Sequence, residues 1–99
     1  MLDVLIKNGT IIDGSGKDAF RGNVGIKDGK LHLNPDTEDA ARVIDAEGLT
    51  VTPGFIDAHS HGDLILGTKD AALFKTTQGV TTEHVGQCGL SAAPIVEKN

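Results

Sequence analysis

The sequence has 99 residues and a formal net charge of −5, so it has the size of one small domain or a piece of a larger one, without the basic surface that nucleic acids or anionic membranes require. A hydrophobic content of 38% and a charged content of 23% exclude an intrinsically disordered chain. Cys88 is the single cysteine, which excludes an intrachain disulfide, and no stretch approaches the roughly 18 consecutive apolar residues of a membrane span. We therefore predict a cytoplasmic globular protein without nucleic-acid or membrane partners.

Residues 1–52 predict a β-meander that forms part of a small β-sandwich. The pairs Asn8-Gly9 and Asp28-Gly29 are typical of two-residue hairpin turns, because these residue types tolerate a positive φ. Many short strands at close spacing indicate a small sandwich. The predicted strands cover residues 2–7, 10–12, 23–27, 30–33, 42–46 and 49–52.

The pattern changes at Pro53. The strand predicted after it has little polar alternation, which is typical of a strand buried on both faces. Asp70 suits the cap of a helix, and Gly79 suits its end, because glycine readily takes a positive φ. The order strand, helix, strand predicts a parallel βαβ unit with a right-handed crossover. The predicted elements are a strand over residues 54–58, a loop over 59–69, a helix over 71–78, a strand over 80–85 and a loop over 86–94.

The polar side chains of this half follow the two predicted strands. Side chains alternate faces along a strand, so Asp57, His59, His61 and Asp63 would share one face for as long as the strand lasts. Cys88 follows the second strand, and neighbouring parallel strands lie about 4.8 Å apart with their carboxyl ends at one edge. Imidazoles beside a thiolate are typical zinc ligands, and other divalent transition metals accept the same donors. The pattern predicts a metal site.

Simpler interpretations remain open for each of these residues. The two histidines could be polar loop residues, since short motifs often occur by chance. Asp57 could cap a backbone turn, or it could orient a metal ligand from outside the coordination sphere. Asp63 is the weakest member of the set, and Cys88 taken alone could be a small buried hydrophobe. Two further histidines are left outside the site, His32 and His84.

Three blocks of the sequence resemble the amidohydrolase superfamily of metal-dependent hydrolases. They are DVLIKNGTIIDG at residues 3–14, VTPGFIDAHSH at 51–61 and QGVTTE at 78–83. A fourth block, GQCGLSAAP at 86–94, resembles the N-acyl-D-amino-acid deacylase (D-aminoacylase) branch. In this branch asparagine usually stands where the chain has Gln87, and proline where it has Ala92. These departures leave the cysteine in place but bear on the substrate assignment.

The resemblance implies a mixed α/β fold, in which a small β-sandwich accompanies a TIM barrel. Residues 1–52 would be the N-terminal part of the sandwich, and residues 53–99 would be the first strand, helix and second strand of the barrel. A barrel of this kind needs about 250 residues, so we expect this chain to be an N-terminal fragment. An isolated two-stranded unit exposes its sheet edges, so we expect the chain alone to be inactive and either to self-associate or to fold weakly.

The resemblance also implies a function and a set of ligands. His59 and His61 would belong to a metal centre with one or two zinc ions, and Cys88 would take the cysteine-ligand position of the branch. Further ligands and the catalytic aspartate would lie beyond residue 99, so no catalytic residue is assigned in this chain and Asp57 has a supporting role. The complete protein would hydrolyse the amide bond of N-acyl-D-amino acids.

Two alternatives to this function remain. The first is another amidohydrolase that acts on cyclic amides, as dihydroorotase and dihydropyrimidinase do, although such enzymes usually lack the loop around the cysteine. The second is a non-enzymatic, β-rich binding module that is complete at 99 residues. The sequence does not choose the acyl group or the D-amino acid.

Overall fold

The computed structural model describes residues 1–65, 68, 70 and 73–90, and it divides the chain into two compact units. The first unit runs from Met1 to Pro53 and the second from Gly54 to Asn99. Residues 71 and 72 of the predicted helix, and residues 91–94 of the last predicted loop, lie outside the described residues. Within the described part, no helix has both the length and the apolar character needed to cross a membrane.

The first unit is built around one central strand. Strand β1 pairs antiparallel with β2, which in turn pairs antiparallel with β3, and β1 also pairs parallel with β4 and β5. The described strands therefore form one five-stranded sheet in the order β3-β2-β1-β4, with β5 also beside β1. The strands are β1 (Leu2–Ile11), β2 (Phe20–Lys27), β3 (Lys30–Leu33), β4 (Ala40–Asp45) and β5 (Thr50–Val51).

The predicted hairpin at Asn8-Gly9 is wrong, because β1 continues through this pair to Ile11. Asn8 has a φ of 61°, and the register against β2 shifts between Ile6 and Gly9, which is the signature of a β-bulge. The backbone N–H of Asn8 donates a hydrogen bond of 2.9 Å to Oδ1 of Asn23 on β2. A positive φ that suits a tight turn is thus equally compatible with a bulge, when the strand remains paired with the same partner strand before and after it.

The second predicted hairpin is confirmed. Asp28 and Gly29 both have positive φ values, 51° and 73°, and they connect β2 to β3 with Lys27 paired to Lys30. This is the pattern of a two-residue type I′ turn, which matches the twist of the strands it joins.

Replacing Asn8 by alanine is expected to lower the free energy of unfolding by about 1–2 kcal/mol, because alanine resists the left-handed backbone region that asparagine tolerates. Asn8→Gly is the matched control, since glycine adopts this φ without a steric penalty but also lacks the amide side chain. Urea denaturation followed by circular dichroism measures both changes. Equal losses in the two variants would show that the hydrogen bond from Asn8 Nδ2 to Asp45, and not the backbone angle, makes the contribution.

The hydrophobic core of the described residues is small. Leu5 is 1% exposed and is the largest fully buried side chain. Many large apolar side chains remain exposed, among them Leu31 and Ile56, at 70% and 71%. Exposed apolar surface of this kind favours association. It supports the prediction that the isolated chain self-associates, which stays a prediction. The buried apolar residues are Leu2, Leu5, Ile11, Val24 and Ala46.

The second unit contains the predicted pair of parallel strands. Strand β6 (Phe55–Asp57) pairs parallel with β7 (Val80–Glu83), so the predicted parallel arrangement is confirmed, although both strands are shorter than expected. The helix between them, α1 (Leu73–Thr76), ends in two hydrogen bonds of the 3₁₀ type, from Gln78 N–H to Lys75 O and from Gly79 N–H to Thr76 O. Gly79 follows with a φ of 84°, as predicted.

Candidate metal centre

His59, His61 and Cys88 lie together just beyond the carboxyl ends of β6 and β7. Their ligand atoms all lie within 4.8 Å of one another. Cys88 Sγ lies 3.3 Å from His59 Nε2, and the two imidazole rings meet edge to face with their centroids 5.4 Å apart. Because the strands are parallel and adjacent, the residues that follow them emerge at one edge, and two segments 29 positions apart in the chain meet there.

Hydrogen-bonded turns, and not strand alternation, bring the two histidines together. The strand β6 ends at Asp57, so the expectation that one strand face carries all four polar residues is wrong. The backbone N–H of His59 donates to Asp57 Oδ1 at 3.2 Å, and the N–H of Ser60 donates to the carbonyl oxygen of His84 at 3.0 Å. The N–H of Gly62 then donates to Ser60 Oγ at 3.2 Å. These bonds tie the histidine segment to itself and to the residue that follows β7.

Asp63 does not join the cluster. It is buried in a short 3₁₀ turn, Gly62–Ile65, which begins directly after the second histidine. The turn ends the extended backbone that would have carried Asp63 to the same face as His61. Of the predicted polar residues, His59 and His61 thus come together in the cluster, whereas Asp63 does not join them.

Cys88 occupies a strained position in its loop. Its φ of 57° lies in the left-handed region, and it sits between Gly86 and Gly89, whose φ values are 79° and 74°. A left-handed residue other than glycine costs about 1–2 kcal/mol, and such residues concentrate at functional sites. The side chain is exposed, so the alternative interpretation as a small buried hydrophobe is wrong.

Asp57 lies beside the cluster with both carboxylate oxygens engaged. Lys75 Nζ on α1 donates to Oδ2 at 2.6 Å, while Oδ1 accepts the His59 N–H. These two hydrogen bonds, the one from Lys75 first, hold the pKa of Asp57 below its ordinary value. The same contact raises the pKa of Lys75, so the pair is ionised at neutral pH. Asp57 therefore does cap a backbone turn, and the N–H group that it caps belongs to His59, a predicted ligand.

The donor set fits zinc. Bond lengths of about 2.3 Å to sulfur and 2.0–2.1 Å to nitrogen at a tetrahedral angle require donors about 3.3–3.6 Å apart. The observed separation of 3.3 Å between Cys88 Sγ and His59 Nε2 is close to the roughly 3.5–3.6 Å expected for a sulfur and a nitrogen on one ion, and all ligand atoms of the cluster lie within 4.8 Å of one another. One thiolate and two imidazoles are ligands that zinc prefers, and three protein donors leave a fourth position for another ligand.

Sequence reasoning missed three residues around the cluster. Ser60 is 5% exposed and links the histidine segment to the end of β7. Glu83 pairs directly with Asp57 in the parallel register, and Lys75 bridges to both carboxylates. The strand pairing could have pointed to Glu83, because it ends the second strand as Asp57 ends the first. No sequence pattern pointed to Lys75. His32 and His84, which were left outside the site, are not part of the cluster of described residues.

A sequence profile of the amidohydrolase family matches residues 42–97, which is more than half of the chain and includes all three clustered side chains. The chain belongs to the amidohydrolase family. The resemblance drawn from the sequence motifs is thereby confirmed.

Relatives of this amidohydrolase chain include enzymes of the predicted branch. It is 40% identical over 99 residues to a D-aminoacylase of Alcaligenes xylosoxydans xylosoxydans, a match that covers 98% of this chain and 20% of the relative. The chain thus spans about a fifth of the length of the relatives it matches. The similarity to this relative extends over nearly the whole chain.

Solved structures of three amidohydrolases align with this chain to different extents. An N-acyl-D-glutamate deacylase from Bordetella bronchiseptica, in complex with zinc and a phosphonate that mimics the tetrahedral intermediate, aligns with a TM-score of 0.87 and 44% identity over 94% of this chain and 20% of its own. A D-aminoacylase described as having a binuclear metal centre aligns with a TM-score of 0.86 and 35% identity over 100% of this chain and 21% of its own. A D-hydantoinase is 46% identical but aligns with a TM-score of 0.54 over only 61% of this chain and 13% of its own.

Proposed function

We propose that the whole protein that contains this chain is a zinc-dependent hydrolase that cleaves the amide bond of N-acyl-D-amino acids. The observation that carries the proposal is the convergence of His59, His61 and Cys88 in a chain that resembles the deacylases over nearly its whole length. We propose the three side chains as metal ligands, with one or two ions in the complete site. The free thiol of Cys88 suits the reducing cytoplasm, which we keep as the proposed location.

In this proposal the chain's own residues hold the metal and shape the site. Zinc, when bound, polarises a substrate carbonyl and makes water acidic enough to act as a nucleophile near neutral pH. Asp57 supports the ligands and does not serve as the general base, because both of its oxygens already accept hydrogen bonds and its pKa is lowered. We therefore assign no general base among the residues of this chain.

We propose that residues 1–52 form the N-terminal part of a small β-sandwich and that residues 53–99 begin a (β/α)₈ barrel. The parallel pair β6 and β7, with a helix between them in sequence and polar residues at their carboxyl ends, supports this assignment. In barrels of this type active sites lie at the carboxyl ends of the strands, which is where the cluster lies.

The test compares substrates for the whole purified protein. We expect hydrolysis of N-acyl-D-amino acids, with little activity on the N-acyl-L enantiomers, and loss of activity on zinc removal by a chelator that returning zinc reverses. Release of the free amino acid measures the rate for each substrate at matched concentrations. Hydrolysis that persists unchanged in the zinc-free protein would refute the proposed metal dependence.

A second candidate is hydrolysis of cyclic amides, which the similarity to a D-hydantoinase favours. A hydantoin or dihydropyrimidine assayed beside the N-acyl-D-amino acids distinguishes the two functions. We favour the deacylase because the alignment with the deacylase covers more of the chain and has the higher TM-score, 0.87 against 0.54. The non-enzymatic binding module is not retained, because the chain belongs to a family of hydrolases.

A further inference from the structure

Two carboxylates lie side by side where β6 and β7 end. Asp57 and Glu83 are direct partners in the parallel register, so their side chains emerge on the same face of the strand pair. Both are mostly shielded from water, with exposed fractions of 25% and 26%. Two neighbouring, shielded negative charges repel each other, and a nearby cation stabilises both.

Lys75 supplies that cation from the helix between the strands. Its Nζ lies 2.6 Å from Asp57 Oδ2 and 3.8 Å from Glu83 Oε1, and its side chain is 35% exposed. Among the described residues Glu83 Oε1 has no hydrogen bond, so the ion pair with Lys75 is its compensating contact. The three residues, which we call the carboxylate clamp, join β6, α1 and β7.

The carboxylate clamp touches the histidine segment at two points. Asp57 accepts the backbone N–H of His59, so a shift of this carboxylate shifts the ligand's main chain. Glu83 lies against Gly62, the residue after His61, so closely that a Cβ atom at this position would collide with its carboxylate. One carboxylate thus contacts the backbone at the start of the histidine segment and the other contacts it at the end. The ammonium group of Lys75 pairs with both carboxylates.

We infer that Lys75 is a positioning residue for the metal centre, acting through Asp57 and Glu83 to hold His59 and His61 in the geometry that binds zinc. This inference rests on the proposed zinc site. Without the ammonium group the carboxylates separate, and the turn that presents the histidines loses its anchor. Partners that orient metal ligands in this way typically contribute 10- to 100-fold to metal affinity.

The experiment measures the zinc affinity of the whole protein by competition with a chromophoric chelator. Lys75→Met, which keeps most of the length of the side chain without its charge, is expected to weaken zinc binding at least about tenfold, whereas Lys75→Arg, which keeps the charge, is expected to retain most of the affinity. Lys30→Met, at an exposed position on β3, is the matched control and is expected to bind zinc as the unchanged protein does. Unchanged affinity in Lys75→Met would overturn the inference.

A double-mutant cycle tests whether Lys75 acts through Asp57. Asp57→Asn alone is expected to weaken zinc binding, and adding Lys75→Met to it is expected to cost less than Lys75→Met costs alone, because the route through Asp57 is already broken and only the route through Glu83 remains. Additive losses would overturn the inference. If Lys75→Met fails to fold, as judged by circular dichroism, the zinc affinity of Asp57→Asn is the deciding measurement. Full zinc affinity in that variant overturns the inference.

Two further readouts separate this role from general stability and from the proposed function. With cobalt in place of zinc, the sulfur-to-cobalt charge-transfer band is expected to change in Lys75→Met at a temperature where the variant remains folded, which a loss of stability alone would not cause. His59→Ala tests the metal site itself. If it binds zinc as tightly as the unchanged protein, His59 is not a ligand and the proposed ligand set fails, whereas intact affinity in Lys75→Met alone refutes only the positioning role.

Discussion

Replacing Cys88 by serine is expected to lower the zinc affinity of the whole protein at least about 100-fold and to reduce its hydrolytic activity in proportion. Loss of a direct ligand should cost no less than loss of a residue that only orients a ligand, for which 10- to 100-fold is typical. The oxygen of serine is a poor substitute because a neutral hydroxyl binds zinc far more weakly than a thiolate. Zinc content after dialysis and the rate of substrate hydrolysis measure the two effects.

Cys88→Gly separates the sulfur from the backbone. The left-handed φ of 57° at this position suits glycine better than cysteine, so the glycine variant keeps or improves the loop geometry while it removes the sulfur. We expect Cys88→Gly to lose as much zinc as Cys88→Ser. If the glycine variant kept its zinc, the loop backbone and not the thiolate would be what the site needs, and the ligand assignment would be wrong.

Replacing either His59 or His61 by alanine is expected to reduce zinc affinity by a similar factor, at least about 100-fold, and to abolish most of the activity. The reason is geometric, because the ligand atoms of both residues lie within 4.8 Å of Cys88 Sγ and of each other. His32→Ala is the matched control, since His32 lies on the exposed strand β3 and is not part of the cluster. Zinc binding and activity are expected to be unchanged in the control.

The zinc content of the two variants also tests whether the histidines serve one ion. If both bind the same ion, each single replacement removes the same amount of zinc, and the double replacement removes no more. If the loss in the double variant equals the sum of two smaller losses, the histidines contribute to separate ions. Full zinc content in either single variant would remove that residue from the ligand set.

The fold shows how far local sequence signals reach. The pair Asp28-Gly29 forms the hairpin that its chemistry predicts, whereas Asn8-Gly9 forms a bulge within a ten-residue strand. Both pairs contain a residue with a positive φ, and this local feature is compatible either with a chain reversal or with a bulge in a continuing strand. That outcome depends on the partner strands, since the second half of β1 continues along β2 and also pairs with β5.

The sequence by itself determined the chemistry of the candidate site. The residue types and their positions after two predicted strands were enough to predict that His59, His61 and Cys88 would converge, because the carboxyl ends of adjacent parallel strands meet at one edge. The family followed from motifs that are contiguous in the chain, and the profile match confirms it.

Only the tertiary structure decided how those residues are held. The histidines meet through turns anchored on Asp57 and on the residue after β7, and Asp63 is turned away by a 3₁₀ turn. Lys75 and Glu83 contact the site from α1 and from β7, respectively. Contacts of this kind depend on strand register, on where each strand ends and on side-chain reach in three dimensions, and no periodicity along a single chain encodes those quantities.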